Sequence, residues 1–438
     1  MRRWALVVVS CGALTFIWGA RLVTSGDDTR ARRVQAVRKA VLLDVSSHGL
    51  VLVGSLEGSG NAPDRKLLIW DIGLRRYVSE VALAGWSEWP RSAPRTLADI
   101  RWNRDVFRFQ PDGEHIVALQ VPWLVLIDAK RAGEVRRVVP SEDYLRQGGP
   151  GPPFPELRSP GVAYLAVNPR DGSVAAAYNV VGQSHVYLYS PGLDALINSW
   201  SSPRYIEDVA WSPDGGKLAI LSNGRFDSAS LRDASQLPAA HRRVETTQEW
   251  VTLGKGFRMG VATSDEPDVE IVEPRSFEVL TKFWTGANEA HIQFSGNGAL
   301  VYVINDSGYY DPSHKGVIKA FSATSGALLR TMTGGPRGVR DSFALSADGR
   351  LVAADASTQL PQGLRMEPVA GAKVARVLLL NAETGETLFE YHEKTDGEYW
   401  DPLPLAFSPD GRLLFVDFPL STEEAEEHIE VFSVGSVP

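Results

Sequence analysis

Short apolar runs recur along the chain, and each stops at the same kind of turn. Asp208–Trp211 leads into Ser212-Pro213-Asp214-Gly215, and the apolar run Lys217–Leu221 follows. Pro404–Phe407, Ser408-Pro409-Asp410-Gly411 and Arg412–Val416 repeat that order. Asp-Gly and Asn-Gly tolerate the positive φ of a tight hairpin, so each unit predicts two antiparallel strands. Five further copies complete a set of seven: Ser46-Ser47-His48-Gly49, Gln110-Pro111-Asp112-Gly113, Asn168-Pro169-Arg170-Asp171-Gly172, Ser295-Gly296-Asn297-Gly298 and Ser346-Ala347-Asp348-Gly349.

A third apolar strand follows each pair: Leu67–Ile72, Leu124–Asp128, Val186–Ser190, Val269–Glu273, Val317–Ser322, Val377–Asn381 and Ile429–Ser433. Several continue through small residues into a fourth, most clearly Thr387–Tyr391 after Asn381–Gly385 and Leu328–Met332 after Ser322–Gly326. Four antiparallel strands repeated seven times predict an all-β, seven-bladed β-propeller. Its blades lie near residues 40–83, 98–139, 160–200, 205–284, 289–333, 339–391 and 402–434. The last unit lacks a fourth strand. Residues 33–39, with Val34 and Val37 alternating among polar neighbours, are expected to supply it and close the ring of a single domain over 31–438.

Over residues 34–438 the chain resembles the WD40-like and YVTN-like β-propeller repeat group. Trp211-Ser212-Pro213-Asp214-Gly215 and Phe407-Ser408-Pro409-Asp410-Gly411-Arg412-Leu413 match that group's Ser-Pro-Asp-Gly turn. Lys66-Leu67-Leu68-Ile69-Trp70-Asp71 matches its strand ending in Trp-Asp, and no repeat carries Gly-His. The resemblance implies a divergent β-propeller.

The blades average about 58 residues, against roughly 40–45 for compact propeller repeats. In a four-stranded meander the first-to-second and third-to-fourth turns leave one face. Second-to-third loops and interblade links leave the other. Every Asp-Gly-type turn belongs to the first set. The long segments belong to the second: Ala84–Leu97, Pro140–Pro160, Asn223–Pro267, Asn305–Gly316, Ala356–Lys373, His392–Asp401 and Pro419–Glu427. Within the largest, Glu249–Leu253 and Phe257–Ala262 bracket Gly254-Lys255-Gly256 as an extra hairpin. Loops on a rigid scaffold are where binding concentrates. Trp86, Trp89, Trp250, Tyr309, Tyr310, Tyr399 and Trp400 fall in these segments as candidate partner-binding residues.

At the N-terminus, Arg2 and Arg3 precede an apolar stretch from Trp4 to Ala20, so residues 1–30 read as a signal peptide or membrane-anchor helix. Export is therefore expected, placing the propeller outside the cytoplasm: periplasmic, secreted or membrane-anchored. Val8-Val9-Ser10-Cys11 resembles a lipoprotein lipobox, although the apolar run continues past Cys11. Cleavage, retention and lipidation stay open.

The net charge of −8 argues against nucleic acid as a partner, and the single Cys excludes disulfides and zinc sites needing two thiolates. No pair among the eight His has metal-ligand spacing, and neither a nucleophile elbow nor a phosphate loop is present. No cofactor, metal or catalytic residue is assigned. The favoured expectation is a monomeric, non-catalytic ring that binds a protein or peptide through its long-loop face. The alternative is a propeller hydrolase of the lactonase kind. Innermost-strand residues such as Asp44, Asp99, Glu207, Asp208 and Asp341 would line its central channel.

Overall fold

The computed structural model describes residues 31–435, apart from residues 39–40, 58–63, 83–106, 121–122, 132, 139–162, 181–182, 226–248, 254–256, 262–266, 286–288, 306–315, 336–337, 340–341, 357–372, 396–402 and 419–427. The expected N-terminal helix at residues 1–30 lies outside the described residues. Among those described, no helix is long and apolar enough to cross a membrane.

Strand β1 (Ala31–Arg38) opens the chain and belongs to the last blade. Blade 1 is β2 (Val41–Val45), β3 (Leu50–Glu57), β4 (Asp64–Asp71) and β5 (Arg76–Ala82). Blade 2 is β6 (Phe107–Phe109), β7 (His115–Gln120), β8 (Trp123–Asp128) and β9 (Gly133–Val138). Blade 3 is β10 (Ala163–Val167), β11 (Val174–Val180), β12 (Gln183–Tyr189) and β13 (Leu196–Ser202). In blade 4, β14 (Arg204–Trp211) and β15 (Leu218–Arg225) are separated from β18 (Val269–Val272) and β19 (Val279–Phe283) by the hairpin β16 (Glu249–Leu253) and β17 (Phe257–Val261). Blade 5 is β20 (Glu289–Phe294), β21 (Leu300–Asn305), β22 (Val317–Ser322) and β23 (Leu328–Met332). Blade 6 is β24 (Phe343–Leu345), β25 (Leu351–Asp355), β26 (Lys373–Asn381) and β27 (Thr387–Thr395). Blade 7 is β28 (Leu405–Phe407), β29 (Leu413–Phe418) and β30 (His428–Val434), with β1 in fourth place.

Every blade is a four-stranded antiparallel sheet in chain order, except that blade 7 takes its outer strand from the other end of the sequence. Ala31 pairs with Val434 and Arg38 with His428, so β1 covers the whole edge of β30. Inner strands neighbour one another from blade to blade, and β28 meets β2. The ring is closed, and the open sheet edge that a three-stranded blade 7 would present is gone.

Burial explains the sequence pattern. The middle strands are covered on both faces by adjoining blades, so they read as unbroken apolar runs: Val174–Tyr178 of β11 and all of β25 are buried. Outer strands such as β9 are mostly exposed and read as polar. In blades 1 to 6 a bulge falls in the pairing of the third and fourth strands, at Ile69/Trp70, Leu126/Ile127, Leu188/Tyr189, Ile271/Val272, Ala320/Phe321 and Leu379/Leu380. Such bulges raise the local right-handed twist. Trp70 packs edge-on against Phe415, with ring centroids 6.4 Å apart, tying blade 1 to blade 7.

Candidate functional site

The two ends of the ring differ in construction. At the short-turn end, the Ser-x-Asp-Gly turns are self-contained hydrogen-bonded units. Ser212 Oγ donates to Asp214 Oδ1 at 2.6 Å and accepts the Lys217 amide at 2.9 Å. Ser346 with Asp348 and Ser408 with Asp410 repeat the first bond at 2.6 Å. In blade 5, Asn297 takes the aspartate's place, at 2.8 Å from Ser295 Oγ. These bonds hold the Asp214 and Asp410 carboxyls below their ordinary range: the serine hydroxyl acts most strongly, and the amides of Gly216 and Arg412 add to it.

Neighbouring turns also touch. His48 Nε2 donates to the Pro111 carbonyl at 2.8 Å, Gln110 Nε2 to Pro191 at 3.3 Å, and Asn168 Nδ2 to Gly215 at 3.2 Å. Between blades 5 and 6 the approach is closer still. A Cβ on Gly296 would lie 1.9 Å from the Ala347 carbonyl oxygen. The short-turn end thus carries a collar of turns that interlock across blades 1 to 4 and between blades 5 and 6.

Inside the ring, among the described residues, a second set of bonds staples one blade to the next at six of the seven junctions. Asp44 Oδ2 accepts the Phe109 amide at 2.7 Å, and Asp208 Oδ2 accepts the Ile292 amide at 2.9 Å. Asn179 Oδ1 accepts the Ile206 amide at 2.9 Å while its Nδ2 donates to the Ile206 carbonyl at 2.7 Å. Gln293 accepts from Leu345, Asp355 from Leu403 and Asp417 from Leu42 at 3.1, 3.1 and 3.0 Å. The residues in second strands form a series: Asn179 ends β11's buried run, Asp355 ends β25, and Asp417 sits one residue before the end of β29. That recurrence is a signal the sequence holds outside its turns.

These staples decide the fate of the acidic residues proposed for a channel site. Asp44 and Asp208 are spent on the next blade's backbone. Burial pushes the Asp44 carboxyl up, and the Arg108 guanidinium with the Phe109 and Val45 amides pulls it back. Asp208 also lies 2.5 Å from His291 Nδ1, pairing β14 with β20. Glu207 is half-buried on β14, and Asp99 and Asp341 lie outside the described residues. Among the described residues no three His, Cys, Asp or Glu side chains are grouped to hold a metal.

At the opposite end the chain enters and leaves the blades. Some connections there are tight: β7 reaches β8 across residues 121–122, β11 reaches β12 across 181–182, and Pro203 alone joins β13 to β14. Others carry the long segments, so elaboration at this end is concentrated in particular blades. The largest insertion is gripped at its root. Buried Arg204 donates from Nη2 to the Ser222 carbonyl at 2.7 Å and from Nη1 to the Pro267 carbonyl, fastening both legs. Asp268 accepts the Thr285 amide at 2.7 Å and its hydroxyl at 2.5 Å beside them. From that root the hairpin β16–β17 rises, with Trp250 opposite Gly260 in its register.

Of the aromatic residues proposed to bind a partner, Trp86, Trp89, Tyr309, Tyr310, Tyr399 and Trp400 lie outside the described residues, and Trp250 is placed on β16. Two tryptophans that the sequence did not single out stand exposed at this same end. Trp123 begins β8 and is 37% exposed, with the Arg137 guanidinium 5.7 Å from its ring centroid. Trp284 follows β19 and is 60% exposed. Their signal in sequence is position: each stands where a strand meets a second-to-third or interblade connection.

No protein-family model matches the chain, and no curated protein matches it. Solved structures do. A chain from the crystal structure of a mitotic checkpoint complex aligns over 96% of this chain and 100% of its own, at 14% identity and TM-score 0.50. A chain of Kuenenia stuttgartiensis hydrazine synthase aligns over 90% of this chain and 95% of its own, at 11% identity and TM-score 0.50. What is shared at such identities is the fold. The chain is a seven-bladed β-propeller of four-stranded antiparallel blades.

Proposed function

We propose that this chain is an exported or membrane-tethered, non-catalytic propeller that binds a protein or peptide through its long-loop face. The observation that carries the reading is the placement of exposed indole rings. Trp123 and Trp284 open to solvent at the end where the long segments attach, while Trp70 and Trp211 are buried in the ring. An exposed tryptophan offers a large, rigid contact area at small entropy cost, which suits it to anchoring a partner. Rigid support lies beneath: the staples fix the blades, and Arg204 fixes the root of the insertion that carries Trp250. The acidic residues best placed for a channel reaction, Asp44 and Asp208, are instead engaged with backbone amides, so the hydrolase reading gains no support from them.

Affinity capture with the full chain from an extract of its source, read by mass spectrometry, tests the proposal. Wild type is compared with a variant carrying Trp86, Trp89, Trp123, Trp250, Trp284 and Trp400→Ala. A captured protein that the folded variant loses supports the long-loop face. Equal capture by both, or hydrolysis of a lactone by the wild type, overturns it.

A further inference from the structure

We propose that the short-turn end of the ring is a lipid-facing seat, resting on the bilayer that the apolar N-terminal segment enters. The inference rests on the tethered reading above and goes beyond it by assigning the ring a polarity and a second membrane contact.

The first observation is where the chain leaves the ring. Ala31 pairs with Val434, the last residue of β30. In the other blades the third strand ends at that same place and turns into the fourth, as at Gly326 and Gly385. Residue 30 therefore departs from the short-turn end. Between Ala20, the last residue of the apolar stretch, and Ala31 lie residues 21–30, which even fully extended reach only about 35 Å. A bilayer holding Trp4–Ala20 thus keeps the short-turn end close and leaves the long-loop face turned away.

The second observation is independent of the first. Among the described residues, large apolar side chains stand exposed mainly at this one end. Leu196 and Ile197 begin β13, Val279 and Leu280 begin β19, and Leu328 and Leu329 begin β23, each between 42% and 54% exposed. Val78 and Val135 take matching places near the start of β5 and β9. The two exceptions, Trp123 and Trp284, are at the other end. Apolar side chains on a rim of charged turns match the chemistry of the interfacial layer, where both kinds of group are accommodated.

Charge selects the lipid. The turns at this end carry charges of both signs: Asp348 pairs with Arg350, Asp410 with Arg412, Asp128 with Arg131 and Glu114 with Lys130. With its charges paired, the rim offers no single-sign patch for anionic headgroups, so the occupant is a zwitterionic lipid surface and the contact is apolar.

The test uses the full chain with Cys11→Ser and a single new cysteine carrying an environment-sensitive fluorophore, at Ile197 or Leu328 for the seat and at Trp284 for the far end. Phosphatidylcholine vesicles contain a lipid-borne quencher. The expected result is co-flotation of chain and vesicles, with seat labels quenched several-fold more than the Trp284 label. With the seat label kept at its own position, changing the remaining residues among Leu196, Ile197, Val279, Leu280, Leu328 and Leu329 to Ser should remove that difference while flotation and the circular dichroism of the fold persist. Flotation with equal quenching at both ends overturns the seat and leaves the tether standing. Failure to float overturns the tether, and the seat with it. Seat labels already shielded without vesicles, with a doubled mass by light scattering, would give the surface to a second copy of the chain and overturn the lipid assignment.

Discussion

Gly296 offers a sharp test of the collar of turns. Its backbone is not in the left-handed region, so the glycine is required by proximity. An added Cβ would stand 1.9 Å from the Ala347 oxygen and 3.0 Å from its carbon, where an ordinary contact begins near 3.4 Å. The Gly296→Ala variant must therefore push the two turns apart by about 1.5 Å. Neither turn yields easily. Ser295 Oγ is bonded to Asn297 and to the Leu300 amide, and Ser346 Oγ to Asp348 and the Leu351 amide, at 2.6–3.0 Å. Overpacking costs about 1–3 kcal/mol and each loosened hydrogen bond about 1 kcal/mol, which gives a loss of roughly 2–4 kcal/mol.

The matched control is Gly133→Ala at the start of β9. Its nearest neighbour would be 3.8 Å away, with no left-handed φ to strain it. That change should be neutral, or stabilising by up to about 1 kcal/mol through the unfolded chain. Urea unfolding followed by tryptophan fluorescence separates the two variants. If Gly296→Ala unfolds within about 0.5 kcal/mol of wild type, the turns of blades 5 and 6 do not meet as described.

Other outcomes follow from the same geometry. Asp417→Ala leaves the buried Leu42 amide without its acceptor and should cost about 1–3 kcal/mol, whereas Asp417→Asn keeps an acceptor oxygen and should cost less, which thermal melting of both will show. Deleting residues 31–40 bares the whole edge of β30, so the melting temperature should drop sharply and light scattering should detect association; an unchanged melt contradicts closure by β1. The lowered carboxyls of Asp214 and Asp410 contribute stability that is complete above the ordinary carboxylate pKa of about 4 and lost as pH falls through their folded values. Ser212→Ala with Ser408→Ala should flatten that acid dependence in denaturation curves taken between pH 2 and 6, and an unchanged profile would remove the hydroxyls as its cause.

The fold was readable where its determinants are local. A Ser-Pro-Asp-Gly turn is complete within a few residues, and the hairpin around Gly254-Lys255-Gly256 likewise declares itself through adjacent strands. Third-to-fourth turns were readable only in part, for a conformational reason. Blades 5 and 6 place Gly326 and Gly385 at the left-handed position, with φ of 69° and 72°. Blades 1 and 4 place Arg75 and Phe277 in the equivalent position at φ of 54° and 56°, and blade 3 places Leu193 one residue earlier in its turn at 55°. Without the glycine, the turn has no mark in the sequence. Its strain, about 1–2 kcal/mol for a non-glycine residue, is held in place by the packed strands on either side.

The staples were hidden for a different reason. Asp417 and Leu42 are 375 residues apart in sequence yet 3.0 Å apart in the ring, so no local pattern links them. Asp44 and Asp208 illustrate the resulting ambiguity: an acidic residue on an innermost strand suits a channel reaction and a backbone bond equally well until its neighbour is known. The neighbours are the Phe109 and Ile292 amides, and a carboxylate holding such an amide holds the blade behind it as well. Removing either side chain would therefore loosen the ring before it altered any reaction in the channel. The chemistry that the sequence offers for catalysis is, at these two positions, the chemistry that ties blade 1 to blade 2 and blade 4 to blade 5, while the exposed indoles of Trp123 and Trp284 stand apart at the opposite rim.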